Sequence, residues 1–131
     1  MRQIDTDVAA DSIMCLLRGS GGATYSLTLG SRAGASAYAV CIKPRHSVVV
    51  DLTASRADLV GFINCNLDQL TAERRAVGVW FDAETNRTSI DIVTVMENRF
   101  WAIIVAKANH QYSVYSLRTG RAFPAEKEEA A

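Results

Sequence analysis

A chain of 131 residues, 49% apolar and 21% charged, has the size and composition of one globular domain, which excludes a disordered polymer and a fibrous repeat. Fourteen basic side chains balance fourteen acidic ones, so the positive excess that drives nonspecific binding to nucleic acid or anionic membrane is missing. Cys15, Cys41 and Cys65 are odd in number, widely spaced and set among apolar neighbours, a pattern that predicts buried thiols in a reducing, cytoplasmic compartment. Residues 1–11 carry acids where a secretory leader would be basic, and no apolar run reaches the roughly 18 residues a membrane span needs, so no membrane association is expected.

Thr6 or Asp7 can cap a first helix running to about Arg18, with Val8, Ile13, Leu16 and Leu17 as its apolar stripe and Gly19, Gly21 and Gly22 as its stop. In residues 23–29, Tyr25, Leu27 and Leu29 alternate with Thr24, Ser26 and Thr28, the pattern of a strand with one wet face. A Gly/Ser-rich loop follows, and residues 37–43 read as a second strand that pairs back on the first as a hairpin and is closed by Pro44. The apolar run Val48-Val49-Val50 fits two arrangements, a separate strand or an extension of the previous one beyond a bulge at Pro44.

Ser55 as N-cap with Asp58 in the first turn, followed by Leu59, Phe62, Ile63, Leu67 and Leu70 at helical spacing, predicts a second helix of about fifteen residues. Residues 77–81 and 89–95 are strands joined across a polar loop, with Ile90, Ile92 and Thr94 facing one way and Asp91, Val93 and Val95 the other. Glu97 or Asn98 opens a third helix to about His110, and residues 113–117 form a last strand ended by Arg118-Thr119-Gly120. The expected architecture is a single α+β domain over residues 1–131, in the order α-β-β-α-β-β-α-β. About three helices cover a mostly antiparallel sheet of about five strands, with residues 1–5 and 124–131 as frayed tails.

Several short motifs recur in order: Gly78-Val79-Trp80, Asp82-Ala83-Glu84, Ile90-Asp91-Ile92, Glu97-Asn98-Arg99 with Ala102, Asn109-His110-Gln111, and a closing run from Ser113 to Gly120. Gly21-Gly22-Ala23-Thr24-Tyr25 and Ser36-Ala37-Tyr38-Ala39-Val40 add to them. Over about residues 21–123 this set resembles a family of small uncharacterised proteins encoded by phages, prophages and plasmids. The chain departs from that pattern at Ser116, where the family usually carries an acid. It departs again in the third helix, where Phe100, Trp101, Ile103, Ile104 and Val105 replace a charge-studded sequence. The resemblance implies a mobile-element context and a shared fold, and it supplies no catalytic residues.

The chemistry-bearing residues are sparse. His46 and His110 are the two histidines; Cys41 with His46 is the thiol–base pair to weigh, against a strand cysteine and a loop histidine that never meet. No Cys-x-x-Cys pair suggests zinc, and Gly19-Ser20-Gly21-Gly22 lacks the Lys-Ser/Thr of a phosphate loop, so neither a metal nor a cofactor is expected. Asp82, Glu84 and Asp91 share one hairpin, where acids are also ordinary turn residues. Arg99, Lys107, Arg118 and Arg121 are the candidate face for nucleic acid or an acidic partner, and Tyr25, Tyr38, Tyr112 and Tyr115 are either binding surface or cross-strand packing.

The third helix carries more apolar surface than one buried face needs, so Phe100, Trp101, Ile103 and Ile104 are either buried centrally by the first helix or form a partner or homodimer interface. The leading expectation is a non-enzymatic accessory protein that binds a host protein, such as an inhibitor of a host defence system in the manner of an anti-CRISPR. A nucleic-acid-binding or regulatory module is the first alternative and a small enzyme using Cys41 and His46 the second.

Overall fold

The computed structural model describes residues 5–125. Its centre is the hairpin of β5 (Arg75–Asp82) and β6 (Arg87–Met96), paired in unbroken register from Arg75 opposite Thr94 to Asp82 opposite Arg87. Asn86 closes the turn at φ 56°, and the Asp82 carboxylate accepts from the Glu84 N–H at 2.9 Å, so both expected turn acids are accounted for locally or lie in the turn itself. The free edge of β5 receives β1 (Gly22–Ser26), which turns back on itself through the two-residue β2 (Gly30–Ser31).

The free edge of β6 is shared. Residues 93–96 pair with β3 (Tyr38–Cys41), and residues 87–90 pair with β4 (Val48–Asp51). Between them Pro44–His46 form a single 3₁₀ turn that carries the chain out of the ladder and back, because Pro44 has no N–H to give to β6. Val48-Val49-Val50 is thus part of a separate strand, collinear with β3. β3 pairs on its outer edge with β7 (Ser113–Ser116), and β7 pairs with β8 (Arg121–Pro124), which gives the order β2-β1-β5-β6-β3-β7-β8 with β4 beside β6.

The class is α+β with an antiparallel sheet, as expected, but the described residues form eight strands in place of five and four α-helices in place of three. The proposed hairpin between residues 23–29 and 37–43 does not form: Gly30, at φ 82°, folds β1 onto β2, and β1 and β3 end up on opposite sides of the central hairpin. Of the ends expected to fray, Asp5 is the N-cap of α1 (Thr6–Ser20), accepting from Asp7 and Val8, in place of Thr6 or Asp7. Pro124 pairs with Ser113, and Ala125 is buried, donating its N–H to Tyr112 O at 2.8 Å. Residues 1–4 and 126–131 lie outside the described residues.

The first three described α-helices lie over the β1–β5–β6 part of one sheet face. α1 buries Ala9, Ala10, Ile13 and Leu17, a stripe at helical spacing that leaves Val8 exposed; Cys15 lies on the opposite side of the helix and is exposed, contrary to the expected burial. α2 (Arg56–Cys65) starts at the reciprocal Ser55–Asp58 capping box and buries Leu59, Phe62 and Ile63 against α1, Val77, Val79, Ile90 and Ile92. The expected fifteen-residue helix is broken at Asn66, whose amide donates to Phe62 O and meets His46 Nδ1 at 2.9 Å; a separate turn, α3 (Leu67–Leu70), follows. Cys65, at the end of α2, is also exposed. α4 (Arg99–Ala108), capped by Asn98, covers β3 and β7 on the same face through Ala102, Ile103 and Ala106, against Val40 and Val114.

One buried hydroxyl pins the chain between β4 and α2. Thr88 Oγ1, with no exposed surface, donates to Leu52 O at 2.6 Å and accepts from Ala54 N–H at 3.0 Å, holding Leu52 at φ 63°. Thr88→Val keeps the volume but leaves both backbone groups without that partner, and is expected to cost about 2–3 kcal/mol in urea unfolding. Thr88→Ser, which keeps the hydroxyl, is expected to cost about 1 kcal/mol. Equal stability of the valine variant would show that this turn is not held by Thr88.

Candidate functional site

The sheet face away from the helices is concave. β5 and β7 are three strand steps apart, about 14 Å in a flat sheet, yet the rings of Trp80 and Tyr115 meet edge to face with centroids 6.3 Å apart. Small side chains, Thr24, Ala39, Gly78 and Ala122, line the curl beside Val93, where the helix side carries Val77, Ile90 and Ile92. A Cβ on Gly78 would stand 2.8 Å from Val93 Cγ1, so glycine is what lets Val93 pack across β5 beside Gly78's register partner Asp91. The result is a cleft of about 240 Å³, rimmed by Trp80 and Tyr115 and lined with polar groups from Thr24, Asp91, Gln111 and Ser113.

Asp91 sits where the second edge of β6 is interrupted. The turn at Pro44–His46 brings Ser47 back to this point, and its hydroxyl bonds to the half-buried Asp91 carboxyl and stands 3.7 Å from Cys41 Sγ. Burial pushes the Asp91 carboxyl above the usual carboxylate range, opposed by the Ser47 hydroxyl. Burial first, and the Asp91 charge second, push the Cys41 thiol up as well, against the hydrogen bonds from Ser47 and the Lys43 backbone. The thiol therefore stays protonated at neutral pH, the opposite of what an attacking sulfur needs.

Cys41 and His46, weighed as a thiol–base pair, are not assembled as one: the cysteine contacts Ser47 and the histidine ring is engaged with Asn66 on the helix side. Nor do the three hairpin acids converge, because Asp82 caps its own turn while Asp91 alone reaches the cleft. Among the described residues no group of three His, Cys, Asp or Glu side chains is placed to hold a metal ion. A second depression, of about 430 Å³ and lined by Arg32, Arg74, Arg75, Glu73 and Glu97, mixes both signs of charge.

On α4 the expected interface residues divide. Ile103 is core, at 7% exposure, while Phe100 at 69%, Trp101 at 56% and Ile104 at 39% form an outward patch one helical turn long. The first helix does not cover them; it packs on α2 and β1 at the other end of the sheet. Of the basic residues, Arg99 lies over the Phe123 ring, 4.4 Å from its centroid, and Arg118 and Arg121 are exposed around the β7–β8 turn, while Lys107 is half-buried. Tyr25 and Tyr38 pack in the helix-side cores, Tyr115 rims the cleft and Tyr112 is exposed. No described helix is long and apolar enough to cross a membrane.

Comparison with family models, with curated proteins and with solved structures finds no match for this chain. The cleft was partly visible in the motifs: Gly78, Trp80, Asp91 and Gln111 come from three of the short patterns and meet here. Ser47 was not, since only the excursion at Pro44 delivers it.

The Asp91 carboxyl holds a proton more tightly in the fold than in the unfolded chain, so its contribution to stability is present at low pH and is lost as pH rises through the folded value. Asp91→Asn, which removes the charge, is expected to melt higher than wild type at pH 7 and to converge with it below the ordinary carboxylate range. A variant that melts lower at pH 7 would show that the ionised carboxylate is held favourably after all.

Proposed function

We propose that this domain works by binding a partner protein through the outer face of α4. The observation that carries the reading is the patch of Phe100, Trp101 and Ile104, three large apolar side chains left in water on a helix whose other side already fills its core. Such side chains gain little for the free fold, whereas aromatic anchors on one face are the usual centre of a protein interface. Asn98 and the buried Ala102, Ile103 and Ala106 fix the helix, so the patch is presented rigidly and loses little freedom on docking.

The resemblance to proteins of phages, prophages and plasmids supports a host protein as the partner and a cytoplasmic setting, and inhibition of a host defence system is the specific form of the proposal. A non-enzymatic mode is supported by the protonated Cys41 thiol and by the separate engagement of His46. A second copy of the chain is the competing occupant of the same patch.

The test is a double substitution, Phe100→Ser with Trp101→Ser. Because both residues are mostly exposed, the melting temperature is expected to stay within about 3 °C of wild type. A partner that co-purifies stoichiometrically with the wild-type protein from host lysate should be lost, with affinity lowered at least about tenfold. Light scattering separates the copy from the partner: a wild-type dimer that the double variant dissociates identifies self-association. A partner retained at full affinity by the variant would refute the assignment of this face.

A further inference from the structure

The concave cleft lies on the side of the sheet opposite α4 and includes none of the α4 patch in its lining. Three features of its lining define what it can hold. Asp91 and Cys41 are its ionisable acids besides the Tyr115 phenol, and no Lys, Arg or His is among its lining residues. The Trp80 and Tyr115 rings form an apolar, electron-rich rim where β5 and β7 approach each other across the curl. Gly78, opposite Asp91 in the ladder, lines the cleft beside Val93, at a position where a Cβ would collide with the Val93 side chain.

We propose that this cleft binds an organic cation, an alkylammonium or guanidinium group on a short apolar stem, with its charge against the Asp91 carboxylate and its stem against the Trp80 and Tyr115 rings. A carboxylate in a partly dry cleft lacks the hydration it would have at the surface, and an N–H-bearing cation replaces that hydration with a charge-assisted hydrogen bond. The aromatic rim adds the attraction of a ring face for positive charge. Gln111, Ser113 and Thr24 provide further hydroxyl and amide oxygens for the remaining N–H groups. An anionic ligand meets the opposite situation, a like charge with no basic residue in the lining. The volume, about 240 Å³, fits a group of the size of a lysine or arginine side chain and is small for a nucleotide.

The cation can be a free small molecule or a side chain on a peptide, and the test separates the two. Backbone and indole N–H resonances of isotopically labelled full-length protein are followed while n-butylammonium, methylguanidinium, end-blocked Gly-Gly-Lys-Gly-Gly and Gly-Gly-Arg-Gly-Gly, and neutral n-butanol are added. The expected result is saturable shifts at Gly78, Trp80 and Asp91 with at least one cationic probe, at concentrations roughly tenfold or more below any response to butanol. Shifts with the free amines assign the site to a small molecule, and shifts confined to the peptides assign it to a partner's side chain. Asp91→Asn, confirmed as folded by its melt, should weaken the response at least about tenfold, and Trp80→Leu, which leaves the carboxylate in place, several-fold. No saturable shift with any cation, an equal response to butanol, or binding unaltered in a folded Asp91→Asn protein would each overturn the proposal.

Discussion

The ladder along β6 is the constraint on which the rest of this molecule depends. All of β5 pairs with one edge of this ten-residue strand, and the other edge is divided between β3 and β4. Because its side chains alternate, β6 sends Ile90 and Ile92 into the core under α1 and α2 and sends Asp91 and Val93 into the concave face. The division of its second edge is what makes the cleft more than a shallow dish. Pro44 forces the chain out of the ladder between β3 and β4, and on its return Ser47 reaches Asp91 and Cys41 from the side.

Volume asymmetry completes the shape. On β5 the helix side carries Val77 and Val79 while the other side carries Ala76 and Gly78, and on β3 Tyr38 and Val40 oppose Ala39 and Cys41. Small residues on the concave face leave room for the sheet to close toward it, and the contact of Trp80 with Tyr115 marks how far it has closed. The helices and the cleft are two consequences of the same alternation, which is why the apolar patch on α4 and the polar cleft occupy opposite sides.

What could be read from the sequence is what is encoded locally. Ser55 as N-cap with Asp58 in the first turn, Glu97 or Asn98 at the start of the last helix, of which the fold uses Asn98, and the two-faced alternation of Ile90, Asp91 and Ile92 each rest on spacings of four residues or fewer. The partners of β1 and β3 depend on pairings about fifty residues apart, to Val77 through Trp80 and to Val93 through Met96, that no local pattern specifies. β2, two residues long, is too short to carry an alternation, and β8 falls mostly between the stop at Gly120 and the tail expected from residue 124, where no strand is expected. The break in the second helix comes from His46 gripping Asn66 twenty residues away. In α1 the burial falls on Ala9 and Ala10, small residues that allow close approach, where a reading by bulk chose Val8. The cleft shows the same division: Asp91 and Cys41 were singled out as reactive types, but their meeting with Ser47 is a product of topology.

Native-state hydrogen exchange on the backbone amides tests the role of β6 most directly. With both edges paired and its helix-side residues in the main core, the amides of β6 that pair with β5, β3 and β4 should exchange only through global unfolding, at the free energy found independently by urea denaturation. Exchange from β6 at a free energy clearly below the global value, with the slowest amides found instead within α1 and α2, would contradict the account.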